Sequence, residues 1–206
     1  MNLKRFLIPK SIAVYGGSWA VNVIEQLQKS NYSGQIWPVH PNRPDVGGIK
    51  CYTNTQSLPA VPDAAFIGVN RELTIQVIAE LKSIGAGGAI CFASGYREAS
   101  HDHQVKVSGM IDLQDQLVAA AGDMPILGPN CYGYLNYLDN VTLWPDQHGG
   151  HQVSTGVAII AQSSNVAINM TMQQRGLSIA AMCSVGNQAC GGLNELAEYF
   201  ISDSRV

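Results

Sequence analysis

The sequence is poor in charged residues and has no marked excess of either sign. Charged side chains make up 13% of the chain, and 12 lysines and arginines stand against 15 aspartates and glutamates, for a formal net charge of −3. Such a chain offers no broad basic surface for nucleic acid or for an anionic membrane. Any phosphate must therefore be bound at a local site, and a small-molecule ligand is favoured.

Long apolar runs and paired cysteines are also missing. The first apolar run stops at Pro9, which is too short for a signal peptide or a membrane span. The five cysteines are odd in number and form no C-x-x-C pair: Cys51, Cys91, Cys131, Cys183 and Cys190. These absences predict a soluble cytoplasmic protein with reduced thiols, bound to no membrane and no nucleic acid.

The dinucleotide fingerprint G-x-G-x-x-G is absent as well. The segment 16–21 reads Gly-Gly-Ser-Trp-Ala-Val, which fails at the third and sixth positions. After the second predicted strand, where NAD-binding proteins usually place an acidic residue, the chain has His40-Pro41-Asn42-Arg43. Both features argue against NAD. A cation at Arg43 suits a ribose phosphate, which NADP and coenzyme A both carry, although a solvated loop arginine is the other interpretation.

Short β-branched runs alternate with stretches of helical period, and this alternation predicts a Rossmann-like α/β fold with a parallel sheet. The predicted strands are 12–15, 35–39, 64–69, 88–92 and 124–127. Helices are predicted after the first strand (Ala20, Val21, Ile24, Leu27), after the third (Leu73, Val77, Leu81, Ile84) and after the fourth (Met110, Leu113, Leu117).

The alternation stops and then restarts. Residues 132–155 are rich in Gly, Asn, Asp, Pro and Tyr and are predicted to be loop and linker. A strand is predicted at 156–161, a helix from Ser163 to Gly176, and a strand at 178–185. A last helix is predicted to turn Leu193, Leu196, Ala197, Phe200 and Ile201 inward, with Glu195 and Glu198 outward. The resulting division is residues 1–145, a linker at 146–155, and a partial flavodoxin-type α/β domain at 156–206, whose open face needs further strands or a partner.

The strand ends hold the candidate site, because ligands of open parallel sheets lie outside the carboxyl ends of the strands. The Gly16-Gly17-Ser18 turn offers backbone N–H groups to an anion, or is simply a tight turn. Val69-Asn70 and Ala93-Ser94-Gly95 offer small side chains without an acid or base, as suits a neutral, extended ligand arm. Cys131, after Asn130, is interpreted as packing or as a neighbour of a thiol ligand rather than a nucleophile.

Five separated motifs resemble those of the acid–CoA ligases that form ADP or GDP, a family that includes the succinyl-CoA synthetase α subunit and acetate–CoA ligases. The motifs are 6–18, 37–41, 93–98, 128–133 and the pair 157–164 with 185–188, which together cover nearly the whole chain. The resemblance implies a coenzyme A site at Gly16, Gly17, Ser18, Val39, Pro41, Arg43, Val69, Asn70, Ala93, Ser94, Gly95, Asn130 and Cys131. It also implies a phosphate site at Ser163, Ser164 and Asn165 and a reaction through acyl phosphate and phosphohistidine.

The chain departs from the family pattern at three places. The first glycine loop is shortened, and Ser163-Ser164 stands where the family has serine–glycine. The glycine–histidine–alanine–glycine segment is expected beyond Val206, so no catalytic residue is predicted within this chain. The resemblance further implies a nucleotide-grasp domain or subunit as partner, and it leaves a homo-oligomer open.

Two other functions remain as alternatives. One is a non-catalytic module that senses coenzyme A or acyl-CoA, and the other is an NADP-dependent oxidoreductase, favoured only by the glycine turn and Arg43. No metal site is predicted, because His101 with His103 and His148 with His151 lie in polar, loop-like sequence and lack partners in a known ligand pattern.

Overall fold

A computed structural model describes residues 3–98 and 112–206. The helices are α1 (Leu3–Leu7), α2 (Ser18–Lys29), α3 (Arg71–Ser83), α4 (Leu113–Ala121), α5 (Ser164–Thr171) and α6 (Leu193–Ile201). The strands are β1 (Ser11–Gly16), β2 (Gln35–Val39), β3 (Asp45–Val46), β4 (Ile49–Lys50), β5 (Ala64–Gly68), β6 (Ala89–Cys91), β7 (Ile126–Leu127), β8 (Tyr134–Asn136), β9 (Val141–Leu143), β10 (Val157–Ala161) and β11 (Ile179–Ser184).

The first sheet is parallel and has the order β2-β1-β5-β6-β7. Numbered within this sheet alone, the strand order is 2-1-3-4-5. The chain adds β2 on one side of β1 and the later strands on the other side, so the topological switch point lies between β1 and β5. The predicted Rossmann-like α/β fold is confirmed. The carboxyl ends of β1, β5, β6 and β7 meet at one edge, as the argument from the sequence requires.

The first sheet is covered on both faces, because its strands alternate their side chains between two cores. Ile12 and Val14 pack with α1 and α2, whereas Ala13 and Tyr15 pack with α3 and α4. All six residues of β1 are buried. Within the described residues, no helix is both long enough and apolar enough to cross a membrane.

The second sheet has the order β10-β11-β8-β9 and mixes directions, since β10 and β11 are parallel while β8 is antiparallel to both β11 and β9. The prediction that 132–155 is loop and linker is therefore wrong for β8 and β9. The division at 145 and 156 stays a prediction. The structure adds that β8, before that boundary, pairs with β11 after it.

The two sheets share one hydrophobic core. Tyr134 of β8 and Leu143 of β9 lie in the same cluster as Phe6 of α1 and the inner face of α2. The Tyr134 hydroxyl donates to the Phe6 carbonyl at 2.5 Å, and the ring edge of one meets the face of the other. Helix α2 is thus packed between the first sheet and β9.

Two details of the C-terminal predictions are wrong. Leu196 and Phe200 of α6 are buried as expected, but Leu193 is 47% exposed and Ile201 is 84% exposed. These two residues lie at the ends of α6, where the described residues supply too little opposing surface to cover them. The helix predicted to reach Gly176 ends at Thr171, because the polar segment 173–175 adds no apolar residue to its inner face.

Candidate functional site

The turn between β1 and α2 is built on backbone. Gly16 has a φ of +125°, and a Cβ on it would lie 2.5 Å from the Gly68 carbonyl oxygen, so a larger residue is excluded. Helix α2 begins two residues later, at Ser18. The first N–H groups of any helix have no hydrogen-bond partner within that helix. The turn therefore presents N–H groups and the positive end of a helix dipole.

Arg43 lies over this turn. The Nδ1 atom of His40 accepts the backbone N–H groups of Asn42 and Arg43, each at 3.2 Å, and so shapes the loop after β2. A Cβ placed on Gly17 would lie 3.6 Å from the guanidinium of Arg43. In the part of the chain that the structure describes, no carboxylate forms an ion pair with Arg43. An exposed cation and an open helix start thus lie side by side.

A cleft of about 810 Å³ lies at the carboxyl ends of the first sheet and reaches the start of α5. We call it the strand-end cleft. Nine of the predicted site residues line it: Val69, Asn70, Ala93, Ser94, Asn130, Cys131, Ser163, Ser164 and Asn165. Residues predicted separately for a thiol-bearing ligand and for a phosphate therefore face one common space.

Seven predicted residues lie outside the lining of this cleft. Gly16, Gly17, Ser18 and Arg43 form the neighbouring turn. Val39 is buried at the end of β2, and Pro41 is exposed in the following loop. The N–H of Gly95 donates to the Glu98 carboxylate at 2.7 Å and its carbonyl accepts from Arg71 at 2.7 Å, so both groups are used within the protein.

The two predicted asparagines have structural contacts of their own. Asn70 Oδ1 accepts the N–H of Leu73 at 2.9 Å and so caps α3. Asn130 has a φ of +60°, and its N–H donates to the Ala93 carbonyl at 3.0 Å. The second contact ties the loop after β7 to the loop after β6, on the floor of the strand-end cleft.

Cys131 is buried, with only 1% of its surface exposed. Burial raises the pKa of its thiol to about 12, because the charged form loses its water. The thiol is therefore protonated at neutral pH. This supports the interpretation of Cys131 as a packing residue beside the ligand rather than as a nucleophile.

The start of α5 is held against the loop after β7. The Tyr132 N–H lies 2.9 Å from the buried Ser184 hydroxyl and 3.1 Å from the Ser164 hydroxyl, and the two hydroxyls are 3.1 Å apart. Within the described residues, the Ser163 side chain caps none of the first N–H groups of α5. The first turn of this helix therefore keeps N–H groups for an anion in the strand-end cleft.

Sequence reasoning missed seven lining residues: Trp19, Gly68, Arg71, Glu72, Phe92, Tyr132 and Gln162. Each lies at the carboxyl end of a strand or within five residues after it, so the rule that located the site could have found them. The aromatic members were passed over because an aromatic residue next to a strand usually belongs to the core. Here Trp19 is 40% exposed.

The histidines that the structure describes lie outside the lining of the strand-end cleft. His148 and His151 line a separate polar cavity of about 370 Å³ beside Lys29. His148 Nδ1 lies 3.0 Å from the Tyr137 hydroxyl, and burial lowers the pKa of His148. The described residues hold no group of three or more His, Cys, Asp and Glu that could bind a metal ion. His101 and His103 lie outside the described residues.

The chain is similar to proteins named as CoA ligases and synthases. It is 30% identical over 212 residues to a trans-feruloyl-CoA synthase from an unknown prokaryotic organism, which covers 98% of this chain and 29% of that protein. It is 28% identical over 213 residues to an ADP-forming acetate–CoA ligase of Methanocaldococcus jannaschii, with 98% and 28% covered. The chain therefore spans less than a third of these relatives.

Solved structures agree on the fold. The dinucleotide forming acetyl-coenzyme A synthetase 1 of Ca. Korarchaeum cryptofilum, in its apo form, superposes with a TM-score of 0.85 at 27% identity, over 100% of this chain and 44% of that chain. The family described as "CoA binding domain" matches residues 10–137, which is more than half of the 206 residues. The chain therefore belongs to the CoA binding domain family.

Proposed function

We propose that this chain is the coenzyme A-binding portion of an acid–CoA ligase that forms a nucleoside diphosphate. The observation that carries the proposal is the strand-end cleft, in which the ends of β5, β6 and β7 face the open start of α5. A ligase of this kind must bring a thiol and a phosphorylated acid together. One cleft that joins a neutral strand-end surface to an anion site meets this need.

The ligand is proposed to lie along the edge of the first sheet. Arg43 binds the ribose phosphate, and the turn at Gly16–Ser18 binds the diphosphate with its N–H groups and helix start. The pantetheine arm crosses the small residues Val69 and Ala93, and the thiol ends near Asn130. This assigns each part of coenzyme A a surface of matching polarity.

The chemistry proposed for the cleft is acyl transfer. The coenzyme A sulfur attacks the carbonyl carbon of an acyl phosphate, a C–S bond forms, the C–O bond to phosphate breaks, and the thiol proton passes to solvent or to the departing phosphate. The N–H groups at Ser163, Ser164 and Asn165 stabilise the phosphate as it leaves. Cys131, protonated and buried, plays no covalent part.

The phosphorylation of the acid needs groups from elsewhere. No histidine of the described residues lines the strand-end cleft, so the proposed phosphohistidine, and the nucleotide-grasp domain or subunit that charges it, come from outside these residues. We therefore expect the 206-residue chain to bind coenzyme A but to form no acyl-CoA from ATP or GTP, acetate and coenzyme A. Thioester in that assay, lost on mutating His148 or His151, would contradict this.

Calorimetry with coenzyme A, dephospho-coenzyme A and NADP tests the binding proposal. Coenzyme A should bind more tightly than NADP. Replacing Arg43 by Ala should weaken coenzyme A about tenfold, since a charge-assisted phosphate contact contributes roughly 1.5 kcal/mol or more, while dephospho-coenzyme A is hardly affected. Lys50→Ala, a nearby exposed cation, is the control. Tighter binding of NADP, or equal losses for the two coenzyme forms, would contradict the assignment.

A further inference from the structure

Three aromatic side chains form one side of the strand-end cleft: Trp19, Phe92 and Tyr132. We call them the aromatic wall. The ring centroids of Trp19 and Phe92 are 4.6 Å apart, and those of Phe92 and Tyr132 are 5.6 Å apart. Phe92 and Tyr132 are half-buried, and Trp19 is 40% exposed. The three rings form a contiguous group, tilted by 47° and 41° at the two contacts, that borders the open space of the cleft.

The aromatic wall is anchored from behind. The Phe92 ring lies 5.6 Å from the buried ring of Phe66, and the Tyr132 ring meets the buried Trp144 edge-on at 5.3 Å. The backbone N–H of Tyr132 is held by the hydroxyls of Ser164, at the start of α5, and Ser184, at the end of β11. The wall is therefore formed before a ligand arrives, and little rotamer entropy is lost when a ring binds to it.

The position of the wall matches the place where the acyl group of the proposed reaction must lie. Tyr132 follows Asn130, where the thiol ends in the proposed binding mode, and its N–H contacts Ser164 of the anion site. The acyl carbon lies between thiol and phosphate, so the rest of the acid extends over the nearest remaining surface. The lining residue that follows Asn130 and Cys131 is Tyr132 of the aromatic wall, and Phe92 packs against it.

Resting on the proposed function, we propose that the acid is a planar, aromatic carboxylic acid whose ring stacks on the aromatic wall. A methyl group such as that of acetate would leave most of the wall uncovered. Phosphate has no flat face to place there, and the pantetheine arm offers only two small amide planes. The other flat group in the reaction is the adenine of coenzyme A, and the ligand set below separates the two.

Calorimetry with benzoyl-CoA and cyclohexanecarbonyl-CoA tests the proposal, since the two acyl groups have similar size and differ in aromaticity. Stacking contributes beyond burial, so we expect benzoyl-CoA to bind roughly 3- to 10-fold more tightly. Trp19→Leu should bring the affinity ratio of the two thioesters close to one, and free coenzyme A is measured alongside. Trp19→Phe should keep it. Far-UV circular dichroism confirms that both variants are folded.

Each outcome decides between the proposals. Equal affinities for the two thioesters in the unaltered protein would overturn the aromatic acid and leave coenzyme A binding intact. Loss of free coenzyme A binding in Trp19→Leu would assign the wall to adenine and would also overturn it. If coenzyme A does not bind at all, the proposed function fails. A titration with benzoate alone then tests the aromatic wall. Trp19 fluorescence can report binding, because Trp19 is the exposed tryptophan while Trp37 and Trp144 are buried. Quenching of Trp19 fluorescence by benzoate, but not by cyclohexanecarboxylate, would keep the aromatic site, and its absence would remove it.

Discussion

Strands β1 and β10 have similar sequences and opposite environments. Each is a short β-branched run followed by a turn of small residues and a helix. All six residues of β1 are buried, whereas β10 begins exposed at Val157 and is half-buried elsewhere. The reason is the number of neighbours. β1 pairs on both sides with β2 and β5, while among the described residues β10 pairs only with β11.

The contrast shows that tertiary neighbours decide how much a strand of this pattern contributes to the stability of the protein. Burial on both faces turns β1 into the centre of the first sheet, with α1 and α2 on one side and α3 and α4 on the other. The second sheet gains its stability by packing β8 and β9 into the core of the first. It also has a smaller hydrophobic cluster of its own, around Trp144.

Matched isoleucine truncations in the two strands should show the largest effect. Ile12 of β1 is fully buried, whereas Ile159 of β10 is only partly buried. Ile12→Ala should reduce the free energy of unfolding by about 2–5 kcal/mol, and Ile159→Ala by about half as much, because less surface and a smaller cavity are involved. Urea denaturation followed by circular dichroism measures both. Equal losses would mean that β10 is covered in solution, which light scattering at several concentrations would detect as self-association.

The contact between the turn after β11 and the loop after β7 is tested at Gly186. Its φ is +54°, and a Cβ there would lie 2.3 Å from the Pro129 carbonyl oxygen. Gly176 also has a positive φ, +75°, but within the described residues no heavy atom lies within 4 Å of its Cβ position. Gly176→Ala should cost about 1 kcal/mol for backbone strain, and Gly186→Ala about 1–3 kcal/mol more for the clash.

The two glycine variants also differ in their expected effect on the ligand. The clash at Gly186 involves the backbone of Asn130 as well, at 2.5 Å, so coenzyme A should bind more weakly to Gly186→Ala and equally well to Gly176→Ala. Thermal melts and calorimetry give the two measurements. Identical behaviour of the two variants would show that the loop after β7 yields without cost.

Removing the Ser184 hydroxyl should have a smaller effect on the same contact. This buried hydroxyl accepts the Tyr132 N–H at 2.9 Å, and Ser164 is a second acceptor at 3.1 Å. Ser164 remains as an acceptor for Tyr132, but the Gly133 N–H also donates to Ser184, at 3.4 Å, so Ser184→Ala should cost about 1–2 kcal/mol. Ser202→Ala, at the exposed end of α6, should change stability by less than about 0.5 kcal/mol. Chemical denaturation of both variants checks the difference.

The smallest effect is expected at Glu98, which links the loop after β6 to the turn after β11. Burial opposes the charged form, but hydrogen bonds from Asn187 and from the Gly95 N–H outweigh it and leave the pKa of Glu98 lowered. A lowered folded pKa contributes stability above the unfolded value, about pH 4.3, which is lost as the pH falls through the folded pKa.

The Glu98→Gln variant isolates this contribution. Because the carboxylate is largely exposed, the native protein should exceed the variant by only a few tenths of a kcal/mol at pH 7. The difference should be smaller at pH 3, because this stability is lost progressively as the pH falls below the unfolded value of about 4.3. Urea denaturation at the two pH values measures it. A difference that persists unchanged at low pH would mean that the charge of Glu98 is irrelevant.

The strands of the first sheet could be predicted because their signal is local. The runs 12–15 and 35–39 are apolar and β-branched, and they lie inside β1 and β2. The short strands β8 and β9 could not be predicted, since Asn136, Asp139 and Asn140 give the segment the composition of a loop. They become strands because β8 pairs with β11, some 45 residues further along the chain.

The sequence predicted where the site lies in the fold, but only some of the residues that line it. The rule that ligands lie at the carboxyl ends of parallel strands led to Val69, Ala93 and Asn130, which do line the strand-end cleft. The same rule was not applied to Trp19 and Phe92, because in a sequence an aromatic residue beside a strand cannot be told from a core residue. Exposure decides between the two, and exposure is a property of the folded chain.

By itself, the sequence determined the strand–turn–helix units, the missing dinucleotide fingerprint and the cation after β2. These depend on residues two to four positions apart, within reach of local periodicity and turn chemistry. Only the tertiary structure decided that the start of α5 faces the end of β7, and that three distant aromatic residues form one wall. Those placements follow from sheet order and from the pairing of β8 with β11, which are set by the burial of side chains far apart in the chain.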